Sequence, residues 1–296
     1  MPMLSVVAPV EFAVPANTQS ISNLLDSLPD ESELILIGLT PPNRVNVDFS
    51  TTAHHQKQVR WVNSTPSRAA AFEAGRLNAR GRYLMYLDSL SLPSGLLIES
   101  ACRYLDEHIA CEVVAASGIE LNRSHLLMNP DVSIQGWVVR RARWDLLGPW
   151  LELPISTAWE YVVRALTHGI VVAALPQGET SSYGQKPWQS RRLYDQSAVA
   201  GYLQALAIQA GRVVEHVDAF LSSLPDQGKT DRAALSLLLV RYSLACARHQ
   251  LSSEARAFLT MSIRINQRKT LQHRAYIKLV KLLGWQRAAR LLGTKR

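Results

Sequence analysis

The chain has 296 residues, 47% of them apolar and 19% charged, which suits a folded protein of one large or two modest domains. Its cysteines, Cys102, Cys111 and Cys246, are odd in number and form no Cys-x-x-Cys, which argues against a disulfide framework or a cysteine-built zinc site. The net charge of +8 is uneven: Ala255 to Arg296 holds eleven Lys/Arg and no Asp or Glu, whereas the rest holds 21 basic and 24 acidic side chains.

In chain order, Leu4 to Ala8 predicts a short buried strand. Asn17 to Leu28 sets Ile21, Leu24, Leu25 and Leu28 at helical spacing. Glu33 to Ile37 and Val59 to Val62 predict the next strands. Ser67 is a good N-cap for a helix running to about Ala79, with Gly81 just beyond it. Arg82 to Leu87 predicts a fourth strand, which ends at Asp88 and a polar turn. Pro93 or Ser94 opens a helix through Leu96, Leu97, Ala101 and Leu105. This alternation implies a largely parallel sheet with right-handed crossovers. Glu112 to Ala115, Gly136 to Val139 and Ile170 to Leu175 complete a mixed sheet. Between them Thr157 to His168 reads as a helix, with Thr157 and Glu160 as a capping box and Gly169 after its last turn.

Gly178 to Gln189 is polar and rich in Gly, Ser and Pro, and reads as a linker. The expected organisation is an α/β domain over 1–180, a linker over 181–189 and a helical domain over 190–296. The helical part predicts four or five helices, broken near Gly211, Pro225 to Thr230, Ser252, Asn266 to Thr270 and Gly284. No fixed repeat period runs through it.

Several segments fall in a telling order. Leu4-Ser5-Val6-Val7-Ala8-Pro9-Val10 is a strand that ends in proline. Ser67 to Gly81 carries Ala71, Glu73, Gly75 and Ala79. Arg82 to Pro93 delivers Asp88 to a strand end. Leu147-Gly148-Pro149-Trp150-Leu151-Glu152 is a turn, and Glu160, Arg164 and Gly169 follow on a helix. This series resembles family 2 glycosyltransferases of the GT-A fold across the first 180 residues. The resemblance implies a Rossmann-like mixed sheet flanked by helices, a nucleotide-sugar donor and a glycan or lipid-linked hydroxyl acceptor. It implies that Pro9 and Asp88 contact the donor; Arg140, Arg141 and Arg143 suit a diphosphate by their guanidinium groups, with a solvated strand end as the alternative. Asp88 reads as a ligand of a Mg or Mn ion or of a ribose hydroxyl, or as a carboxylate bonded to its own turn; Trp150 as an acceptor-sugar platform or a core tryptophan; and Glu152 or Glu160 as a substitute base, or as a solvated loop acid and a capping-box residue respectively.

The chemistry explains these residue types. Charge develops on the departing diphosphate, so a cation or clustered guanidinium groups must stabilise it. Magnesium-type ions take hard oxygen ligands, often one or two carboxylates plus phosphates. An inverting transfer needs a carboxylate to accept the hydroxyl proton. At three places the chain departs from the family. Leu90 stands where the second Asp of Asp-x-Asp belongs. Ile37-Gly38-Leu39-Thr40-Pro41 replaces an acidic nucleobase loop. Thr157 and Ala158 stand where the family's Glu-Asp base pair belongs, seven and six residues before Arg164. Two function classes follow: a divergent transferase, and a catalytically silent glycosyltransferase-like scaffold that binds.

Other motifs exclude other chemistry. His54 and His55 have no third ligand nearby, and no H-E-x-x-H, P-loop or G-x-S-x-G occurs. The amino terminus, Met1-Pro2-Met3-Leu4, lacks the features of a signal peptide, so the expected location is the cytoplasm, peripheral at the inner face of the membrane. The basic C-terminal segment interleaves Leu, Ile, Val and Trp285 with Lys and Arg. It reads equally as a contact for an anionic membrane or as a solvated face; nucleic acid ranks third, because no binding motif accompanies the charge.

Overall fold

Short β-rich runs with turn signals at both ends become strands buried on both faces, and the amphipathic stretches between them become covering helices. A computed structural model describes residues 3–10, 18–38, 58–65, 67–87, 95–115, 126, 132–153, 157–175, 196–221, 227–266 and 271–292. The strands are β1 (Leu4–Pro9), β2 (Ser32–Gly38), β3 (Gln58–Asn63), β4 (Tyr83–Tyr86), β5 (Val113–Ala115), β6 (Trp137–Arg140) and β7 (Val172–Ala174). They form one sheet in the order β3-β2-β1-β4-β6-β5-β7. β3, β2, β1 and β4 run parallel, β6 is antiparallel to both β4 and β5, and β5 pairs in parallel with β7. The mixed sheet expected from the sequence is therefore present.

Helices α1 (Thr18–Asp26), α2 (Arg68–Asn78), α3 (Gly95–Glu107) and α4 (Arg141–Asp145) belong with the sheet. One face of β1 carries Leu4, Val6 and Ala8, which join Leu34, Met85 and Val138 in a core closed by Leu24 of α1 and Leu97, Ala101 and Leu105 of α3. The opposite face lies under α2. Gly75 of α2 passes so close to β1 that a Cβ there would meet Val7 Cγ1 at 2.2 Å.

That second face also holds a buried polar knot. Ser5 and Glu33 are direct partners in the β1–β2 register, and both are fully buried. The Ser5 hydroxyl donates to Glu33 Oε1 (2.5 Å), and the Arg80 backbone N–H donates to the same oxygen (2.6 Å). Arg60 of β3 makes an ionic contact with Glu33 Oε2 (3.0 Å), and the Gly81 N–H donates to Ser5 Oγ (2.7 Å). Gly81 admits no side chain, since a Cβ would lie 2.5 Å from the Ser5 backbone nitrogen.

The helical unit contains α5 (Thr157–Thr167), α6 (Gln196–Leu221), α7 (Gln227–Arg248), α8 (Ser252–Asn266) and α9 (Leu271–Leu292). Helix α5 thus clusters with the later helices although strand β7 follows it in the chain. The break expected near Gly211 is absent: α6 runs through that position, where a single helical glycine lowers stability without ending the helix. The breaks near Ser252 and at Gly284 are present, the latter as a left-handed kink within α9 (φ 76°). Arg232 of α7 ties α6 and α8 by donating to Asp218 Oδ1 (3.1 Å) and to the Ile265 carbonyl (2.8 Å). Ser236, Ser262 and His273 form a buried polar cluster across α7, α8 and α9, with His273 Nε2 at 2.7 Å from Ser262 Oγ. Burial pushes the Cys102 and Cys246 thiols up to about 12, so both are inert apolar fillers. Among the described residues no helix is long and apolar enough to cross a membrane.

Removing the Glu33 carboxylate takes a buried acceptor from Arg60, Ser5 and the Arg80 N–H together. Glu33→Ala is expected to lower stability by about 3 kcal/mol, read as a fall in the urea midpoint with an unchanged slope. His273 has its own signature. Burial lowers its pKa below 6.5, so the native state binds fewer protons than the unfolded chain as pH falls through that value. Stability is then complete above pH 6.5 and declines as the pH drops toward the folded value. Melting temperature followed from pH 7.5 to 5.5 should fall more steeply for the wild type than for His273→Gln.

Candidate functional site

Ligands of open α/β sheets bind where neighbouring parallel strands send their connections to opposite sides. Here that point lies between β1 and β4: β1 leads outward to β2 and β3, and the chain then returns to put β4 on the other flank of β1. The ladder between them ends with Val7 opposite Tyr86 and the Leu87 N–H donating to the Val7 carbonyl (2.9 Å). The Val10 N–H turns instead to the Ile37 carbonyl on β2 (2.8 Å). Alternation therefore directs position 9 toward β4, where Pro9 has no N–H to give. Asp88 follows Leu87 in the chain and lies outside the described residues, as do Thr40 and Leu90.

The same end of β4 anchors the turn at Gly148 to Glu152. Trp150 is buried, and its indole N–H donates to the Tyr86 hydroxyl (3.3 Å). Phe72, Tyr86 and Trp150 form a triangle of rings with centroids 5.0 to 5.2 Å apart, in tilted and edge-to-face arrangements that aromatic quadrupoles favour. The backbone of the turn is held by charge. The Trp150 N–H donates to Glu73 Oε2 (3.3 Å), and Arg76 forks onto both Glu73 oxygens at 2.9 and 2.7 Å. Arg76 also reaches Asp145 of α4 (3.0 Å), which Arg141 meets from its other oxygen (3.6 Å). Glu152 is exposed and accepts a hydrogen bond from the hydroxyl of Ser67, the N-cap of α2. The positive end of that helix favours a carboxylate there.

Two expected donor residues lie elsewhere. Arg140 pairs with Tyr83, the first rung of β4, because β6 runs antiparallel and brings its carboxyl end to the start of β4. Its guanidinium donates to the carbonyls of Cys111 (2.9 Å), Leu105 and His108 (3.4 Å). It also lies over the Tyr83 ring, 5.9 Å from the centroid. Burial, helped by a hydrogen bond to Asp106, pushes the Tyr83 phenol upward. Arg141 Nε donates to the Gly81 carbonyl (2.7 Å), and Arg143 pairs with Glu112. The basic run thus secures the end of the sheet opposite Pro9. Glu160 stands in the helical unit, fully buried; Arg164 donates to its Oε2 (2.9 Å), and His216 Nε2 of α6 lies 2.9 Å from its Oε1.

The structure therefore brings Pro9, Leu87, Trp150 and Glu152 to one side of the α/β unit. Sequence reasoning missed Glu73 and Tyr86 as the residues that fix the turn. The Glu73–Arg76 spacing, three residues apart on a helix, was the legible signal for half of that network. Among the described residues no group of three or more His, Cys, Asp or Glu can hold a metal ion. A cation would need Asp88 together with phosphate oxygens from a ligand, a donor set that suits magnesium-type ions.

No family model matches the chain, and no curated protein matches it either. Solved structures do share its fold. Residues 1–349 of S. aureus TarS superpose with a TM-score of 0.65 at 11% identity, covering 100% of this chain and 93% of that one. The mannosyltransferase PcManGT from Pyrobaculum calidifontis, solved with GDP-Man and Mn2+, superposes with a TM-score of 0.53 at 14% identity, covering 100% and 88%. The chain thus has a GT-A-like glycosyltransferase fold.

The Glu73 network makes a local prediction. Glu73→Ala should cost about 1–2 kcal/mol and accelerate hydrogen exchange over residues 148–152, followed by mass spectrometry. Glu73→Gln retains an oxygen for the Trp150 N–H and should keep most of that protection.

Proposed function

We propose that this protein transfers a sugar from a nucleotide-sugar donor to a hydroxyl on a glycan or lipid-linked acceptor. One observation carries the reading: the switch point between β1 and β4 opens beside a turn held rigidly at the same end of β4. A donor and an acceptor need such adjacent, pre-positioned surfaces, because alignment of the reacting groups supplies much of the rate. The fold, shared with a mannosyltransferase solved with GDP-Man and Mn2+, supports the assignment of a nucleotide-sugar partner.

In this reading Pro9 lines the donor cleft and Asp88 meets the donor, either at a ribose hydroxyl or through a Mg or Mn ion shared with the diphosphate. Such an ion would supply positive charge to the leaving group. Glu152 is the proton acceptor, since it is exposed and tethered at the α2 terminus. Trp150 shapes the acceptor side from beneath, through its packing on Phe72 and Tyr86. Arg140 and Arg141 support the opposite end of the sheet, and Glu160 pins α5 to α6. The rival reading, a silent scaffold that binds nucleotide without turnover, is favoured by Ala158. It occupies the family's base position, is buried and has no group to accept a proton.

Calorimetry with a panel of nucleoside diphosphates and their sugars, with and without manganese, tests the donor site. Binding by the wild type and its loss in Asp88→Ala are expected; no binding of any nucleotide would overturn the proposal. Dependence on manganese would assign Asp88 to a cation, and indifference to it would assign Asp88 to the ribose. For the base, Glu152→Gln should lower turnover about a hundredfold or more while leaving nucleotide binding intact. Donor binding by the wild type without sugar release to any hydroxyl acceptor or water would instead establish the silent scaffold.

A further inference from the structure

We propose that the exposed face of α9 is a docking surface for an anionic lipid bilayer. The inference is independent of the transfer reading and rests on how the structure sorts the apolar residues of this helix. Tyr276, Ala288 and Ala289 are buried, and Val280 and Trp285 pack half-buried beside Leu259 and Tyr276. Trp285 meets the Tyr276 ring edge-on at 5.9 Å. These residues account for the attachment of α9 to its own unit. Leu282 and Leu291 instead turn their side chains largely to solvent, 79% and 60% exposed.

Charge surrounds those leucines. Lys278, Lys281, Arg287 and Arg290 are all exposed, and the segment from Ala255 onward contains no acidic side chain to pair with them. On the first half of α9, Lys278, Lys281 and Leu282 share one solvent face at helical spacing. On the second half, Arg287, Arg290 and Leu291 repeat the arrangement. Gly284, at φ 76°, breaks the helix between the two sets. Each half thus offers cations flanking a leucine that can enter the acyl boundary while the charges remain among headgroups.

Two other occupants fit less well. A symmetric pairing with a second copy would set these cations against their own counterparts with no carboxylate between them. A purely polyanionic partner would leave the leucines in water. An anionic bilayer satisfies both features at once, since phosphate-bearing headgroups attract the cations and hydrocarbon accepts the leucines.

Flotation of the full chain with phosphatidylglycerol–phosphatidylcholine vesicles, and with phosphatidylcholine alone, tests this surface. Binding to the anionic vesicles, weakened by salt and absent with phosphatidylcholine alone, is expected. The triple variant Lys278→Gln, Lys281→Gln, Arg287→Gln should lower the partition about a hundredfold. Leu282→Ser with Leu291→Ser should lower it about tenfold. All five positions are exposed, so circular dichroism should show unchanged helix content. Failure of the wild type to float, or wild-type binding by the charge variant, would overturn the proposal. Full binding by the leucine variant would overturn it in favour of a purely electrostatic partner. Self-association in sedimentation, lost in the leucine variant and unaccompanied by flotation, would overturn it in favour of a second copy.

Discussion

The Glu33 carboxylate is withdrawn from water between β1 and the start of β4, where the Ser5 hydroxyl, the Arg80 N–H and the Arg60 guanidinium meet it. An ionised carboxylate in such surroundings is tolerated only when its oxygens are satisfied. A slip of β1 against β2 by one residue would turn Ser5 and Glu33 to opposite faces and leave the charge stranded. The knot therefore selects one register from many that would bury the Val, Leu and Ile side chains equally well. It also draws Gly81 down onto Ser5, so β4 starts at a fixed height beside β1. The far ends of the two strands then come level, with Val7 opposite Tyr86 and Pro9 just above. The candidate site at the top of the sheet is positioned by a buried charge at its bottom.

A second set of charges holds the turn at Gly148 to Glu152. Glu73, Arg76, Asp145 and Arg141 form a chain of contacts from α2 to α4, and the Trp150 backbone is fastened to its first member. Each group in this chain retains partial access to water, so its net stabilisation is modest. Its value lies in geometry. The Trp150 indole packs in one place against Tyr86 at the end of β4, and Glu152 follows two residues later beside the α2 terminus. Rigid placement of this kind separates a site that can align two substrates from one that merely contains the right residue types.

Fold and chemistry carry different weights in this protein. Superposition with glycosyltransferases at 11% and 14% identity reflects the shared sheet order and its covering helices. Function resides in the particular groups set on that frame, and the same frame hosts different chemistry when those groups change. In this chain the Asp-x-Asp position holds one carboxylate and the usual base position holds none. In the proposed reading, catalysis rests on Asp88 and Glu152, while Arg140 and Arg141 make their contacts at the other end of the sheet.

How much of this was legible beforehand differs by scale. Local signals sufficed for the elements: period-two and continuous apolar runs gave the strands to within a residue or two, Ser67 was the N-cap, and Gly284 was a break. Gly211 misled because a single glycine weakens a long helix without ending it. The site residues depended on direction and distance, which a sequence does not encode explicitly. Arg140 reads as a donor contact until β6 proves antiparallel to β4, which carries its basic end to the wrong side. Glu160 reads as a capping-box residue or a substitute base until α6 brings His216 beside it from more than fifty residues away. Glu33 looked like one more strand residue, and only the pairing with Ser5 made it the fixed point of the sheet. By itself the sequence determined the alternation of elements and the basic C-terminal segment, because each follows from near neighbours. The tertiary structure decided which charges meet each other and which face water, because those outcomes require strands and helices distant in the chain to be brought within a few ångströms.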